Sequence, residues 1–222
     1  MEKDFKVLIA QPIAPNKNSD FWRQNCNKIF GSLTFENKVH GIYAERVSGE
    51  GGPYAKHARV RNNIISKFLK DDFTHVLWFD SDVVEWDSDI VEKLLAVSCE
   101  DVVAPYVFIE DNDWWPFKRF YDISGFRDLN GEKFDYKPPF YNKLNGDITT
   151  EVQSVGTVCL VPASFHRKIS YDPNYIDLED PKDGIEHNFF FNQVRALGGK
   201  VIATPNIEVR HAFLPKYGEN FH

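Results

Sequence analysis

The sequence predicts a layered α/β domain: a mostly parallel central sheet flanked by helices, with a smaller irregular region beside it. Three observations carry this. Short apolar runs that read as buried strands alternate with amphipathic stretches through the first half of the chain. The length of 222 residues, with 42% hydrophobic content, suits one large domain that buries a substantial core. The apolar run His75-Val76-Leu77-Trp78-Phe79 delivers carboxylates, Asp80-Ser81-Asp82, at its end, which is where open α/β sheets place their ligand crevice.

Taken in order, residues 5–11 (FKVLIAQ) form a parallel-strand candidate stopped by Pro12, and its end is expected beside the end of the Asp80 strand. Residues 20–33 place Phe21, Trp22, Ile29, Phe30 and Leu33 at helical spacing, and residues 39–44 alternate as a second strand. The glycine-rich Gly49-Glu50-Gly51-Gly52 precedes a helix that starts near Pro53, where a missing N–H is harmless. Such a loop either is mobile or turns its amides toward a phosphate. It lacks the Lys-Ser/Thr of a nucleotide-binding P-loop. The helix, roughly 53–70, groups Ile64, Ile65, Phe68 and Leu69 on one face, with Arg61 and Asn62 between that face and the solvated one.

After the acidic strand end, Asp87-Ser88-Asp89 reads as a helix start, with Ile90, Val91, Leu94 and Leu95 continuing to about Val97. Residues 101–108 (DVVAPYVF) return as a buried strand. Residues 110–150 break the pattern with Asp, Asn, Gly and Pro among Trp114, Trp115, Phe120, Tyr121, Tyr136 and Tyr141. These aromatics either stack on carbohydrate rings or pack on the domain. Residues 151–162 read as one strand with Gly156-Thr157 in its middle, where a glycine marks close approach of a ligand or backbone. A short helix at 163–168 follows. An acidic loop at 172–183 then leads to a helix from Gly184-Ile185-Glu186-His187 to about Leu197, ended by Gly198-Gly199. Residues 201–204 form a last short strand, Val209-Arg210-His211 follows, and residues 212–222 read as a tail or linker after a domain spanning 1–211.

A net charge of −7 and a pI near 5.5 argue against a nucleic-acid or anionic-membrane surface. The three cysteines stand in separate segments without a CxxC spacing, so reduced thiols in a cytoplasmic setting are expected. No secretory signal is expected from Met1-Glu2-Lys3-Asp4, and no apolar run reaches the roughly 20 residues of a membrane span.

Asp80 and Asp82, spaced i, i+2 on an extended backbone, leave from one face and can converge on a hard cation or its hydrated ligand; a solvated turn is the alternative. The apolar strand ending in Asp80-Ser81-Asp82, the Arg61-Asn62 pair on the preceding helix, Gly156-Thr157, the Glu186 helix closing on Gly198, and His211 near the end together resemble the GT-A superfamily of nucleotide-sugar glycosyltransferases. The likeness covers nearly all of residues 5–211. The compact size is also similar to the amino-terminal glycosyltransferase domain that large chlorella viruses encode for capsid-glycan synthesis, which would place the protein in host cytoplasm as one domain of a longer polypeptide.

The resemblance implies a UDP-sugar donor, a glycan or glycoprotein acceptor and a divalent ion. It makes Asp82 a metal ligand, completed by His211. Asp80 would take part in the metal site through a bound water or reach the ribose. An oxygen and imidazole set favours Mn²⁺ over Mg²⁺, which stays open. Gln11, Pro12 and Ile13 would hold uracil and ribose, with Arg61, Asn62, Ser81, Gly156 and Thr157 also on the donor side. Where the family often has Glu-Asp, this chain has Glu186-His187. The base on the acceptor hydroxyl is therefore expected among Glu186, Asp183 and His187, and both stereochemical outcomes stay open.

Two rival readings are a sugar-phosphate nucleotidyltransferase and a carbohydrate-binding module with a structural ion. The first lacks its Gly-rich, basic loop after the first strand, where Pro12-Ile13-Ala14-Pro15 stands. The second would use Trp114-Trp115.

Overall fold

The computed structural model describes residues 4–13, 19–44, 53–110, 120–121, 125–132, 149–172 and 185–213. Among them the chain order is β1 (Val7–Ile13), α1 (Ser19–Ser32), β2 (Lys38–Ala44), α2 (Pro53–Phe68), β3 (His75–Phe79), β4 (Val83–Glu85), α3 (Ile90–Val97), β5 (Val102–Ile109), β6 (Thr150–Glu151), β7 (Val158–Pro162), α4 (Ala163–His166), α5 (Ile185–Ala196) and β8 (Val201–His211). One sheet takes the order β2-β1-β3-β7-β5-β8-β4, with β6 against β8.

Strands β2, β1 and β3 pair in parallel, as do β5 and β8, whereas β7 lies antiparallel between β3 and β5. β7 therefore joins two parallel halves. The halves share one direction, so the carboxyl ends of β1, β3, β5 and β8 open on the same rim.

Alternation along the strands sends side chains to two packed layers. Leu8, Ala10, Val76, Trp78, Ala104 and Tyr106 meet Ala58 and Ile64 of α2 and Phe190, Phe191 and Val194 of α5. Val7, Ile9, Leu77, Phe79, Val103 and Val107 meet Ile29 of α1, Leu33 just past its end, and Ile90, Val91 and Leu94 of α3. β3 and β5 are buried along their whole length, which is why they read as continuous apolar runs.

Several boundaries differ from the sequence reading. β1 runs through Pro12 because pairing with β3 stops at Ala10, so the proline falls where that ladder no longer needs a donor. Residues 151–162 are not one strand: β6 and β7 are separate, and Gly156-Thr157 precede β7 instead of lying within it. β4 was not expected, since three residues are too short to show a period. β8 runs on to His211 without the break expected after Thr204, shifting register against β5 at Pro105/Tyr106. Helix α3 starts at Ile90, and Asp89 makes no side-chain cap; Asp87 and Asp89 bind Lys93 at 2.7 and 3.0 Å. Helix α4 is shorter than 163–168.

Of the aromatics in residues 110–150, Phe120 and Phe126 pack edge to face with each other in the core beside Phe108 and Tyr106. Trp114, Trp115, Tyr136 and Tyr141 lie outside the described residues, as do Gly49 to Gly52. Ala212 is buried with Ile13, Trp22 and Cys26, so the packed body reaches past the expected boundary at 211. Cys26, Cys99 and Cys159 are free thiols. Among the described residues no helix is long and apolar enough to cross a membrane.

Candidate active site

The backbone leaving β3 is held from three sides. Asp80 N–H donates to the Thr157 carbonyl at 3.1 Å. The Asn25 amide of α1 donates to the carbonyls of Ser81 (2.8 Å) and Val83 (2.7 Å). The Ala212 N–H, just past β8, donates to the Asp82 carbonyl at 2.7 Å. A loop so pinned fixes where its carboxylates point.

β3 ends at Phe79, so Asp80 and Asp82 leave from a turn and not from the extended strand whose spacing suggested a shared face, though both line one cleft. They take different partners. Asp82 Oδ2 lies 3.0 Å from His211 Nε2, brought there by the pairing of Val83 with His211 between β4 and β8. The other ring nitrogen, Nδ1, donates to the Ala212 carbonyl at 2.9 Å, and Tyr121 stacks on the imidazole with centroids 3.5 Å apart. Burial works against charge on both groups. Their mutual attraction outweighs it, holding Asp82 below the usual carboxylate range and His211 above the usual imidazole range.

Asp80 Oδ1 instead receives Arg61 Nη2 at 3.3 Å. Arg61 sits on the interior side of α2, 2% exposed, its guanidinium over the rings of Trp78 (4.8 Å) and Tyr171 (5.7 Å). Sequence reading placed it between the apolar and solvated faces; the aromatic bed explains why the helix turns it inward. Arg61 Nη2 also lies 3.2 Å from His187 Nε2, while its Nε and Nη1 have no hydrogen-bond partner among the described residues. Asn62, its neighbour, is occupied structurally: it donates to the Tyr171 carbonyl at 2.7 Å and accepts the Tyr171 N–H at 2.9 Å.

Glu186 and His187, in the first turn of α5, reach the same region. Glu186 is 2% exposed, and its Oε2 has no hydrogen-bond partner among the described residues. Its Oε1 lies 3.5 Å from His187 Nε2 and 3.7 Å from His57 Nδ1. Burial first, then the Arg61 and His57 charges, push the His187 imidazole well below its ordinary value. Asp183 lies outside the described residues.

A cleft at this rim is lined by Pro12, Ile13, Lys56, His57, Val60, Asp80, Ser81 and Asp82. It unites the end of β1, the first half of α2 and the acidic loop. Gln11 is fully buried, bonded to His40 through its Oε1, with Nε2 lacking a partner among the described residues. Thr157 is buried beneath Asp80, and Gly156 beside it is buried too.

Lys56, His57 and Asn25 were missed as site residues. For His57 a signal existed: it stands four positions before Arg61, on the same helical face. Nothing local marks Asn25, whose task depends on where α1 docks.

The donor set tests whether a divalent ion fits. Among the described residues no group of three or more His, Cys, Asp or Glu side chains is placed to hold a metal ion. What exists is the Asp82–His211 pair. The Nδ1–H of His211 is fixed on a carbonyl, and Nε2 is aimed at the carboxylate, the orientation that a metal-ligating imidazole needs. Two protein ligands fit an ion that shares its remaining positions with ligand phosphates.

A family model described as Anp1 matches residues 54–134, from α2 through the acidic loop and β5. The structure is similar to GalNAc-T7, solved with UDP, GalNAc and Mn²⁺, at a TM-score of 0.53 and 14% identity, covering 96% of this chain and 45% of that one. It is also similar to S. aureus TarS 1-349, at 0.51 and 12%, covering 96% and 61%. The chain thus spans about half the length of these solved structures. No curated protein sequence matches it. The mixed sheet and these likenesses show that the chain has a fold of the GT-A type, the one that the sequence resemblance implies.

Proposed function

We propose that the chain is a metal-dependent glycosyltransferase that moves a hexosyl or deoxyhexosyl group from a UDP-sugar to a glycan hydroxyl. Rhamnose and glucose lead among the donors, and a glycoprotein glycan of the capsid type is the acceptor class that the viral resemblance favours. The observation that carries the reading is the Asp82–His211 pair at 3.0 Å, set on the rim of a cleft that β1, α2 and the acidic loop form together.

Asp82 and His211 are the residues that would hold the ion, Mn²⁺ before Mg²⁺ because imidazole is a poor partner for the harder cation. The ion supplies Lewis-acid stabilisation of the charge that develops on the departing diphosphate. Around it, the chain's own groups bind and orient. Pro12 and Ile13 offer an apolar wall for the uracil. Asp80, steadied by Arg61, offers a carboxylate to the ribose hydroxyls. Ser81 lines the cleft between the two carboxylates. Gln11, Gly156 and Thr157 are buried behind the rim, Asn62 ties α2 to Tyr171, and Glu186 stands as a buried carboxylate behind His57.

Isothermal titration with UDP, with and without Mn²⁺, tests the reading. Binding that tightens with Mn²⁺ is expected; no heat in either condition counts against it. Screening hydrolysis of UDP- and GDP-sugars then identifies the donor.

A further inference from the structure

Transfer to a hydroxyl by direct displacement needs a group that takes the hydroxyl proton. The two candidates on α5 are poorly placed for that. Arg61 is permanently protonated, so at 3.2 Å its Nη2 donates to His187 Nε2, which must therefore be the lone-pair nitrogen. The basic nitrogen of His187 is already occupied by a fixed cation. Glu186 is buried, 2% exposed, and is not among the residues that line the cleft.

His57 differs on each count. Its side chain is half-exposed and lines the cleft together with Asp80, Ser81 and Asp82. Its Nδ1 faces the buried Glu186 Oε1 at 3.7 Å, a separation that a small rotation of the ring turns into a hydrogen bond. A carboxylate on Nδ1–H fixes the tautomer that leaves Nε2 with its lone pair on the opposite edge of the ring.

Resting on the glycosyltransferase reading above, we propose that His57 is the catalytic base, with Glu186 behind it as the positioning carboxylate. The acceptor oxygen forms its bond to the anomeric carbon while the bond from that carbon to the β-phosphate oxygen breaks, and the electron pair leaves with UDP. The acceptor proton passes to His57 Nε2. Glu186 compensates the imidazolium, which returns the proton to solvent. Displacement in this manner inverts the anomeric centre. The charged groups around His57 are Glu186 from α5, Arg61 and Lys56 from α2, and Asp82 from the acidic loop, so the carboxylates offset the two cations. Burial keeps the free imidazole below its ordinary value, and Glu186 pulls the other way.

The experiment uses the full chain with Mn²⁺, measuring UDP affinity by calorimetry and UDP release from UDP-glucose and UDP-rhamnose. His57→Gln should bind UDP as the parent does, lose roughly 10²–10⁴-fold in kcat, and leave KM for the donor unchanged. His57→Ala should regain part of the lost rate with added imidazole, which a merely structural residue would not allow. Glu186→Gln should lose less than His57→Gln, and product NMR should show inversion. Parent protein that neither binds UDP nor releases it sinks the glycosyltransferase reading and the base assignment together. Parent that binds and turns over, with His57→Gln within a few-fold of it, overturns the base assignment alone. So does a larger loss in Glu186→Gln, a loss of UDP affinity that accounts for the lost rate of His57→Gln, or retention at the anomeric carbon.

Discussion

Asp82 and Arg61 sit a few ångströms from the same cleft, yet substitution should separate them cleanly. Asp82 is stabilised by His211 and, in the proposed reading, serves as a ligand to the ion and not as part of the apolar core. Asp82→Ala should therefore fold with a near-parental circular dichroism spectrum while losing the Mn²⁺-dependent part of UDP binding and roughly 10²–10³-fold in turnover. Retained Mn²⁺ dependence would remove Asp82 from the metal role. Arg61 is the reverse case. It is a buried cation on an aromatic bed, and its removal takes a charged partner from Asp80 and empties a large volume. Arg61→Ala should lower stability by about 3 kcal/mol in urea unfolding, the lower part of the range for breaking a buried pair because Asp80 keeps some solvent. Arg61→Lys should recover little of this, since an ammonium neither lies flat between Trp78 and Tyr171 nor keeps the forked geometry.

At the scale of single elements, the end of α5 separates two glycine effects that adjacent positions usually blur. Gly198 adopts φ +86°, and a Cβ there meets nothing within 4 Å. Gly198→Ala should therefore cost only the left-handed backbone penalty, about 1 kcal/mol. At Gly199 a Cβ would stand 2.4 Å from Phe165 Cζ and 2.9 Å from Val194 Cγ1. Gly199→Ala should cost more, about 1–3 kcal/mol, by overpacking α5 against α4. Equal losses in thermal unfolding would refute the distinction. The helix stop itself was legible from Gly198-Gly199, as were β3 and β5 from their apolar runs and α2 from its period. β4 and the far half of β8 were not, because Val83 to Glu85 and Asn206 to His211 become strands only through each other's company and that of β5. The site was legible in the same uneven way. Asp80-Ser81-Asp82 stood at a strand end where chemistry is expected, and Arg61 carried a recognisable neighbour. Its inward turn, and the parts of His57 and Asn25, follow from helix docking, which local composition does not encode.

Across the whole molecule, several histidines are folded into places that reject a proton. Burial lowers His166 to about 3, with Trp78 donating its indole N–H to His166 Nε2, so that nitrogen must stay unprotonated. Burial lowers His40 to about 4. In the unfolded chain both take a proton near the ordinary imidazole value of 6.5. Between these values the unfolded state binds more protons, so stability is full above about pH 6.5 and is lost as the pH falls toward 3–4. The melting temperature should drop steadily from pH 7 to pH 4.5. His166→Gln, which keeps an acceptor for the indole, should show a shallower drop. A parental profile that is flat, or that rises on acidification, would contradict the buried neutral state.

The insertion of β7 between β3 and β5 has a bearing on how the protein is made. β3 is complete by Phe79, but its outer neighbour is not synthesised until Val158–Pro162, and the imidazole that meets Asp82 arrives only with the close of β8. A growing chain must carry one half of the sheet with an exposed hydrogen-bonding edge for some eighty residues of translation, a state open to aggregation. In the proposed reading, competence for chemistry waits on the docking of β8: nascent polypeptides halted short of His211 hold Asp80 and Asp82 but not the imidazole that meets Asp82.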